Sequence, residues 1–223
     1  MEKKVETPEE REHKLRLLIC DIGRNLFNKE YIAANDGNIS ARLSESEVLA
    51  TPTGVSKGYL EPHMLVKVNL AGDILEAHED YRPSTEVKMH LRVYRALPGM
   101  GGVVHAHPPF ATAFAIKGEP LDKMMMPESV IAMGDIPVAQ YGTPSTEEVP
   151  DSLEPFFGKK SAVLLESHGA ITWGKDVMAA YMNMERLEYT AKLTFLTRMI
   201  DGERELSPKR IEELVALRSF YGM

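Results

Sequence analysis

Two histidines stand one residue apart in the segment VVHAHPPF, directly after a pair of valines. In a β-strand, residues i and i+2 point to the same side of the sheet, so His105 and His107 would present both imidazoles together. Imidazole nitrogens are common ligands of zinc and similar divalent metals. The pair alone also fits two strand-end histidines bonded to the backbone, because two ligands do not complete a metal site.

A third histidine supplies a further ligand in this interpretation. His168 lies in ESHGAITWG, after the apolar segment SAVLLES and before Gly169, which allows a sharp turn and a close approach. Three histidines with an open fourth position are typical of catalytic zinc, whereas structural zinc sites are closed and rich in thiolates. Cys20 is the single cysteine of the chain, which excludes a thiolate-rich site. The sequence therefore favours a catalytic metal site.

A carboxylate and three polar turns could act beside such a metal. Glu86 lies in RPSTEVKMH, where a helical pattern begins, and the N–H groups and hydroxyls of a helix N-terminus can bind an anion. Glu86 alone also fits a first-turn residue that complements the helix dipole. The segments NDGNIS and TPTGVSKG add glycines and polar side chains, although both also fit ordinary turns. The candidate anion-binding residues are Gly37, Asn38, Ser40, Thr53, Gly54, Ser84 and Thr85.

The composition limits the class of protein. The chain has 223 residues, 43% hydrophobic and 26% charged, without a compositional break, so one large domain is expected. A formal net charge of -7 and a pI of about 5.6 argue against nucleic acid as the main partner. No apolar run reaches the roughly 20 residues that span a bilayer, and the charged N-terminus does not read as a signal peptide. With one cysteine, a reducing cytoplasm is the expected compartment.

Helices and strands must position these residues. The segment TPEE predicts a capped helix start, and a second helix is predicted over PSTEVKMHLRVYRAL with Ser84 or Thr85 as its cap. Short strands are predicted over ARLSESEVLATP, HMLVKVNLAGDIL, GVVHAH, DIPVAQY, SAVLLES and GAITWG, and AANDGNIS predicts a turn. Further helices are predicted over PFATAFAI, from Asp176 to about Ile200, and from SPK onward. This order predicts helices layered over a largely antiparallel sheet.

Five motifs together resemble one known family. DGNIS, TPTG, PSTE, HAHP and SHGA, in this order and at this spacing, resemble the class II, zinc-dependent sugar-phosphate aldolase family. That family includes L-fuculose-1-phosphate aldolase, L-ribulose-5-phosphate 4-epimerase and the head domain of adducin. The resemblance implies a single three-layer α/β domain over residues 1–223, with a central, mostly antiparallel β-sheet flanked by helices. It also implies a homotetramer with active sites between neighbouring subunits.

The resemblance assigns roles to individual residues. It implies that His105, His107 and His168 bind Zn2+, which another divalent metal such as cobalt or manganese could replace. It implies that Glu86 is the catalytic carboxylate, which can also contact the metal, and that Tyr221 assists from an adjacent subunit. The residues implied to surround the substrate phosphate are Asn35, Gly37, Asn38, Thr53, Gly54, Ser84 and Thr85.

The expected activity is that of a metal-dependent aldolase. It would cleave a ketose 1-phosphate, L-fuculose 1-phosphate-like or 5-deoxy, to dihydroxyacetone phosphate and a small aldehyde through a zinc-stabilised enediolate, with Glu86 as acid and base. A second aldolase tyrosine is missing, because its place falls at about Met126. A sugar-phosphate 4-epimerase, dehydratase or decarboxylase on the same site is an alternative. A non-catalytic adducin-like scaffold would be expected to lose some of the histidines or Glu86. The expected partner is a small sugar phosphate, not nucleic acid or a membrane.

Overall fold

The computed structural model describes residues 7–220, so Tyr221 lies outside the described residues. Seven α-helices and eight strands are described within this range. The helices are α1 (Pro8–Asn28), α2 (Val87–Ala96), α3 (Pro109–Lys117), α4 (Pro127–Ala132), α5 (Glu148–Leu153), α6 (Val177–Arg198) and α7 (Pro208–Ala216). The strands are β1 (Asn38–Arg42), β2 (Glu47–Ala50), β3 (Val66–Asn69), β4 (Ile74–Glu76), β5 (Gly102–Ala106), β6 (Val138–Ala139), β7 (Ala162–Leu165) and β8 (Gly169–Gly174).

The eight strands form one sheet in the order β4-β3-β2-β1-β5-β8-β7-β6. Every neighbouring pair is antiparallel except β6 and β7, which are parallel. Strand β5 lies in the middle of the sheet, between β1 and β8. In this register His105 lies opposite Asn38 on one side and Ile171 on the other. The sheet therefore brings three distant segments together at the end of β5.

Helices cover both faces of the sheet. On one face α1, α3 and α6 pack over residues such as Val104 and Ala106 of β5. On the other face α2 and α5 pack over residues such as Val103 of β5 and Trp173 of β8. Because both faces are covered, β5 is buried along its whole length. This arrangement confirms the predicted three-layer α/β fold with a mostly antiparallel sheet.

Several local predictions are confirmed by the turn chemistry. Thr7 and Glu10 form the capping box that starts α1. Gly72, at φ +98°, turns β3 into β4 as the predicted hairpin. Gly202, at φ +104°, donates its N–H to the carbonyl of Thr197 and closes the end of α6. Within residues 7–220 no helix combines the length and the apolar character that crossing a membrane requires.

The start of α2 differs from the prediction. The helix begins at Val87, and Glu86 occupies the cap position, so neither Ser84 nor Thr85 caps it. The preceding segment is held in another conformation, because Pro83 forms a bridge with Pro52. The Ser84 hydroxyl instead accepts a hydrogen bond from the Glu86 N–H at 3.3 Å. Because of this tertiary pairing the helix begins one or two residues later than predicted, and Glu86 lies at its N-terminus.

Three predicted boundaries of strands and turns also differ from the structure. AANDGNIS was predicted as a turn, but its last three residues belong to β1, because they pair with β5 and β2. DIPVAQY was predicted as a strand, but only Val138–Ala139 forms one, on the outer side of β7, and Ile136 forms an isolated bridge with Leu121. The GVVHAH strand ends at Ala106, so His107 lies just beyond it. Short edges and strand ends depend on partners that the local sequence does not reveal.

Candidate metal centre

His105 is fixed near the end of the central strand. Its side chain is 0% exposed, and its Nδ1 lies 2.9 Å from the carbonyl oxygen of Ala170 on β8. A carbonyl can only accept, so Nδ1 carries the proton and donates it. The lone pair of Nε2 then faces away from the strand and is available to a metal. A backbone partner of this kind sets both the ring orientation and the tautomer of a metal-binding histidine.

His107 faces His105 although it lies past the strand. Its backbone N–H donates to the carbonyl of Tyr31 at 2.8 Å, which holds the chain in place after β5. Its Nε2 lies 3.1 Å from Nε2 of His105. Two nitrogens on one tetrahedral zinc ion would be about 3.3 Å apart, given metal–nitrogen distances of about 2.0 Å. The observed spacing is therefore that of two ligands directed at a common ion.

His168 completes the cluster from the turn between β7 and β8. The turn places Ser167 at φ +56°, a conformation that costs energy for a residue with a Cβ. A Cβ at Gly169 would lie 2.5 Å from Cδ2 of His107, so glycine is required for this close approach. The imidazoles of His105, His107 and His168 each offer one ligand nitrogen, and these nitrogens all lie within 4.8 Å of one another.

Glu86 directs its carboxylate at the same point from the start of α2. Its Oε1 lies 3.2 Å from Nε2 of His168, and its Oε2 lies 3.6 Å from Nε2 of His105. The side-chain amide of Asn38 donates to Oε2 at 2.7 Å. The carboxylate is thus held beside the ligand nitrogens by a residue of β1. This placement agrees with both predicted roles of Glu86, as a metal contact and as a proton carrier.

Electrostatics favour a cation between these groups. Burial raises the pKa of Glu86, but the facing imidazoles of His105 and His168 outweigh it, and the net pKa lies well below its usual range. Burial lowers the pKa of His105 strongly and that of His107 as well. Neutral imidazoles beside an ionised carboxylate form the donor set that a divalent transition metal requires. The residues present therefore fit a divalent metal.

A buried network supports the helix that carries Glu86. His90, one turn further along α2, places Nδ1 2.7 Å from the hydroxyl of Ser40 on β1. The same hydroxyl lies 2.9 Å from the hydroxyl of Tyr94. His90 is 1% exposed, and burial lowers its pKa to about 3. It stays neutral and packs α2 against the sheet.

Two of the predicted phosphate loops lie side by side. The N–H of Thr53 donates to the carbonyl of Arg82 at 3.0 Å, and that of Ser84 donates to the carbonyl of Thr51 at 3.2 Å. These contacts bring the Thr53-Gly54 turn next to the Ser84-Thr85 turn, as a shared site requires. The Thr53 and Ser84 amides are bonded to these carbonyls. Their hydroxyls remain the candidate donors.

The third predicted loop packs directly behind the histidines. Gly37 has φ +68°, and a Cβ there would lie 2.6 Å from Cγ2 of Ile32 and 2.9 Å from the carbonyl oxygen of His105. Close packing on β5 therefore explains why residue 37 is a glycine. Asn38 faces Glu86, and Asn35 is exposed at the start of the loop. The structure brings the three loops together around Glu86 but leaves their predicted role in phosphate binding untested.

Sequence reasoning did not identify three polar residues of this region. Lys57 is buried, and its ammonium donates to the carbonyls of Asn35 and Val55. Asp36 places Oδ2 3.8 Å from Nδ1 of His107, and the hydroxyl of Ser145 lies 2.6 Å from that of Thr85. A lysine inside the glycine-bearing segment TPTGVSKG was a usable indication of Lys57. Ser145 is 60 residues from its partner in the chain, so local sequence gave no indication of it.

The place of the absent aldolase tyrosine lies on the α6 side of the site. Met126 immediately precedes α4 and lines a cavity together with Tyr31, Ser129 and Tyr189. The backbone carbonyl of Tyr31 is also the acceptor that holds the His107 N–H. The aldolase resemblance expects a tyrosine at about position 126, where this chain has a methionine, and Tyr31 and Tyr189 line the same cavity. Met126 offers no acidic proton to a reacting oxygen.

Comparisons with known proteins identify the family. The Class II Aldolase and Adducin N-terminal domain family matches residues 18–195. The chain is 33% identical to a 3-oxo-tetronate 4-phosphate decarboxylase from Pectobacterium atrosepticum, over 92% of this chain and 93% of that protein. It is 30% identical to an L-fuculose phosphate aldolase from Methanococcus maripaludis, over 78% of this chain and 93% of that protein.

A solved structure agrees with these relatives. YgbL from Escherichia coli, described as an aldolase, epimerase or decarboxylase, superposes with a TM-score of 0.84 and 33% sequence identity. The superposition covers 92% of this chain and 99% of YgbL. The family that the sequence motifs resembled is thereby confirmed, and its relatives include both aldolases and decarboxylases. The chain belongs to the class II aldolase and adducin N-terminal domain family.

Proposed function

We propose that the protein is a divalent-metal decarboxylase of a phosphorylated β-keto acid, with 3-oxo-tetronate 4-phosphate as the substrate. The observation that carries the proposal is the pairing of an intact His105-His107-His168-Glu86 cluster with Met126 in place of the aldolase tyrosine. The 33% identity to the Pectobacterium decarboxylase, along nearly the whole of both chains, supports it. Zinc is the proposed metal, because three imidazoles with a remaining open position suit it.

The reaction is balanced by one proton. The substrate carries a carboxylate, a hydroxyl-bearing carbon, a ketone and a phosphorylated carbon. Breaking the bond to the carboxylate releases CO2 and leaves the enediolate of dihydroxyacetone phosphate, which one proton converts to the ketone. A divalent metal on the histidines supplies a Lewis acid for the substrate oxygens. Glu86 takes up a proton from solvent and passes it to the carbon that has lost CO2, and Asn38 orients the Glu86 carboxylate.

The missing tyrosine is explained by this choice of reaction. Retro-aldol cleavage must remove a proton from the hydroxyl that becomes the aldehyde, and a phenol or its equivalent serves there. The leaving group in decarboxylation is already a carboxylate, so no such proton transfer is needed. Met126 at that place is compatible with decarboxylation and unfavourable for the aldolase reaction. Cleavage of a ketose 1-phosphate is the second candidate, favoured by the 30% identity to the Methanococcus aldolase.

The test measures CO2 and dihydroxyacetone phosphate together. We expect the zinc-loaded protein to release both in equal amounts from 3-oxo-tetronate 4-phosphate. β-Keto acids also lose CO2 without an enzyme, so the reference is the Glu86→Gln protein loaded with the same metal. L-Fuculose 1-phosphate is the matched aldolase substrate. Dihydroxyacetone phosphate from L-fuculose 1-phosphate, with no CO2 above the reference from the keto acid, would instead establish the aldolase.

We also propose a homotetramer in which Tyr221 reaches a neighbouring site. Large apolar side chains near the C-terminal part of the chain support this, because Met199, Ile200 and Phe220 are 70%, 75% and 82% exposed on the isolated chain. Light scattering would give the assembly size directly. A Tyr221→Phe variant that assembles normally but has a raised KM would support a substrate-binding role of Tyr221, because decarboxylation needs no phenol as a proton carrier. A monomer with full activity would contradict both parts of the proposal.

A further inference from the structure

Lys57 is a buried cation in the middle of the site's supporting structure. It is 2% exposed, although lysine is rarely buried without a charged partner. It begins a short 3₁₀ turn, Lys57–Tyr59, that packs closely on α1. A Cβ at Gly23 of α1 would lie 2.5 Å from the carbonyl oxygen of Lys57, and one at Gly58 would overlap Phe27. The lysine backbone therefore has little freedom to move away.

The ammonium of Lys57 joins two loops. It donates to the carbonyl oxygen of Asn35 at 2.5 Å and to that of Val55 at 3.0 Å. Asn35 opens the loop that leads into Gly37-Asn38, and Val55 directly follows Thr53-Gly54. No carboxylate within residues 7–220 forms an ion pair with this ammonium. Burial lowers the pKa of Lys57 to about 8, while Asp36 and Glu86 act in the opposite direction from a distance.

The surface above these contacts is open to a ligand. Gly54 has φ +73°, and no atom lies within 4 Å of the place where its Cβ would stand. This glycine is needed for the backbone conformation and not for packing, so the turn presents an uncovered face. The hydroxyl of Thr53 lies in the same turn. A buried positive charge bonded to the residue that follows an open, hydroxyl-bearing turn suits an anion more than a neutral group.

We propose that Lys57 is a positioning residue for the phosphate group, one that fixes the Asn35 and Val55 loops relative to each other and supplies the charge that selects a phosphate dianion. The inference rests on the phosphate site of the proposed function and extends it to a residue outside the loop motifs. A neutral donor could hold the carbonyls but would not provide the charge. The two contributions can therefore be separated by substitution.

The experiment compares three substitutions at one position. Lys57→Arg keeps charge and donors, Lys57→Gln keeps a neutral donor, and Lys57→Met removes both. Lys175→Met, at an exposed lysine, is the control. Binding of inorganic phosphate and dihydroxyacetone phosphate to the metal-loaded proteins is measured by calorimetry, with metal content determined in parallel. We expect Lys57→Gln and Lys57→Met to weaken both ligands about tenfold or more, and Lys57→Arg to restore part of the loss.

Two results would overturn the inference. One is unchanged phosphate affinity in Lys57→Gln and Lys57→Met at full metal content. The other is loss of metal in Lys57→Gln, which would show a general structural role. If Lys57→Met does not fold, the comparison of phosphate affinity between Lys57→Gln and Lys57→Arg tests the contribution of the charge. In kinetics we expect a raised KM with kcat changed less, because Lys57 does not touch the reacting carbon.

The inference and the proposed function can fail separately. Wild-type protein that binds inorganic phosphate through Lys57 but releases no CO2 from the keto acid would refute the decarboxylase and retain the role of Lys57. If the wild type and all Lys57 variants decarboxylate the keto acid with the same efficiency, the decarboxylase would be retained and the role of Lys57 refuted. Absence of phosphate binding in the wild type would refute the role of Lys57 whatever the reaction.

Discussion

The histidine cluster and the neighbouring loops are held in different ways. His105 is completely buried, on a strand bonded on both sides, and its ring is fixed by a backbone carbonyl of β8. Thr53 and Thr85 are exposed in turns, and the loops are joined by single hydrogen bonds and by Lys57. A metal must meet several ligands at fixed distances, which a sheet provides. A phosphate group has several equivalent oxygens, so adjustable hydroxyls can hold it.

This difference suggests where function can change within the fold. The metal geometry depends on strand register and on close contacts at Gly37 and Gly169, where a Cβ would overlap other atoms. Changes there disturb the sheet as well as the site. The positions around the loops and at Met126 lie outside the strands, so they can vary with less effect on stability. Relatives named as a decarboxylase and as an aldolase fit this division.

The largest expected effect comes from removing a metal ligand. His107→Ala leaves two imidazoles, so we expect the metal content to fall to background. We expect activity to fall by more than the roughly 10- to 100-fold that is typical of changes at residues that only orient metal ligands. Metal analysis by mass spectrometry after gel filtration measures this. His63→Ala, at an exposed histidine, is the control. Full metal content in the His107 variant would remove His107 from the ligand set.

The next effect separates chemistry from metal binding. Glu86→Gln keeps the size of the side chain but removes the proton carrier, so we expect a rate decrease of about 10²- to 10⁴-fold with metal largely retained. Steady-state rates at saturating substrate, together with metal analysis, check both parts. An active variant would mean that another group moves the proton. Loss of metal would mean that Glu86 acts mainly as a ligand.

A pair of glycine substitutions compares the two regions directly. Gly37→Ala combines positive φ with overlap against Ile32 and His105, so we expect a loss of about 2–4 kcal/mol in the free energy of unfolding. Gly54→Ala meets no atom, so only backbone strain of about 1–2 kcal/mol is expected. Urea denaturation measures both. Equal destabilisation would show that the loop at Gly54 is packed as tightly as the sheet.

A pH dependence of stability due to Lys57 is also expected. Its folded pKa of about 8 lies below its usual value of 10.5, so between these values the folded state has lost a proton that the unfolded state still holds. Stability therefore rises with pH across this window, by up to about 3 kcal/mol. Denaturation of wild type and Lys57→Met at pH 8 and pH 10 isolates this contribution. A constant difference between the two proteins would contradict it.

Much of the site was predictable because its residues lie in compact motifs. HAHP and SHGA predicted the three histidines, and Glu86 was identified from PSTE. The capping box of α1 and the hairpin at Gly72 were equally local, since each depends on residues close in the chain. The family resemblance rested on the same motifs and is confirmed along residues 18–195.

The sequence by itself determined the three histidines and Glu86 as candidates for one site, because ligand types and turn residues are local properties. Only the tertiary structure decided how they are held. The start of α2 at Val87, the buried ammonium of Lys57 and the contact between Thr85 and Ser145 all depend on segments distant in the chain. The physical reason is that hydrogen-bond partners and burial arise from packing, and neither spacing nor composition encodes the partner.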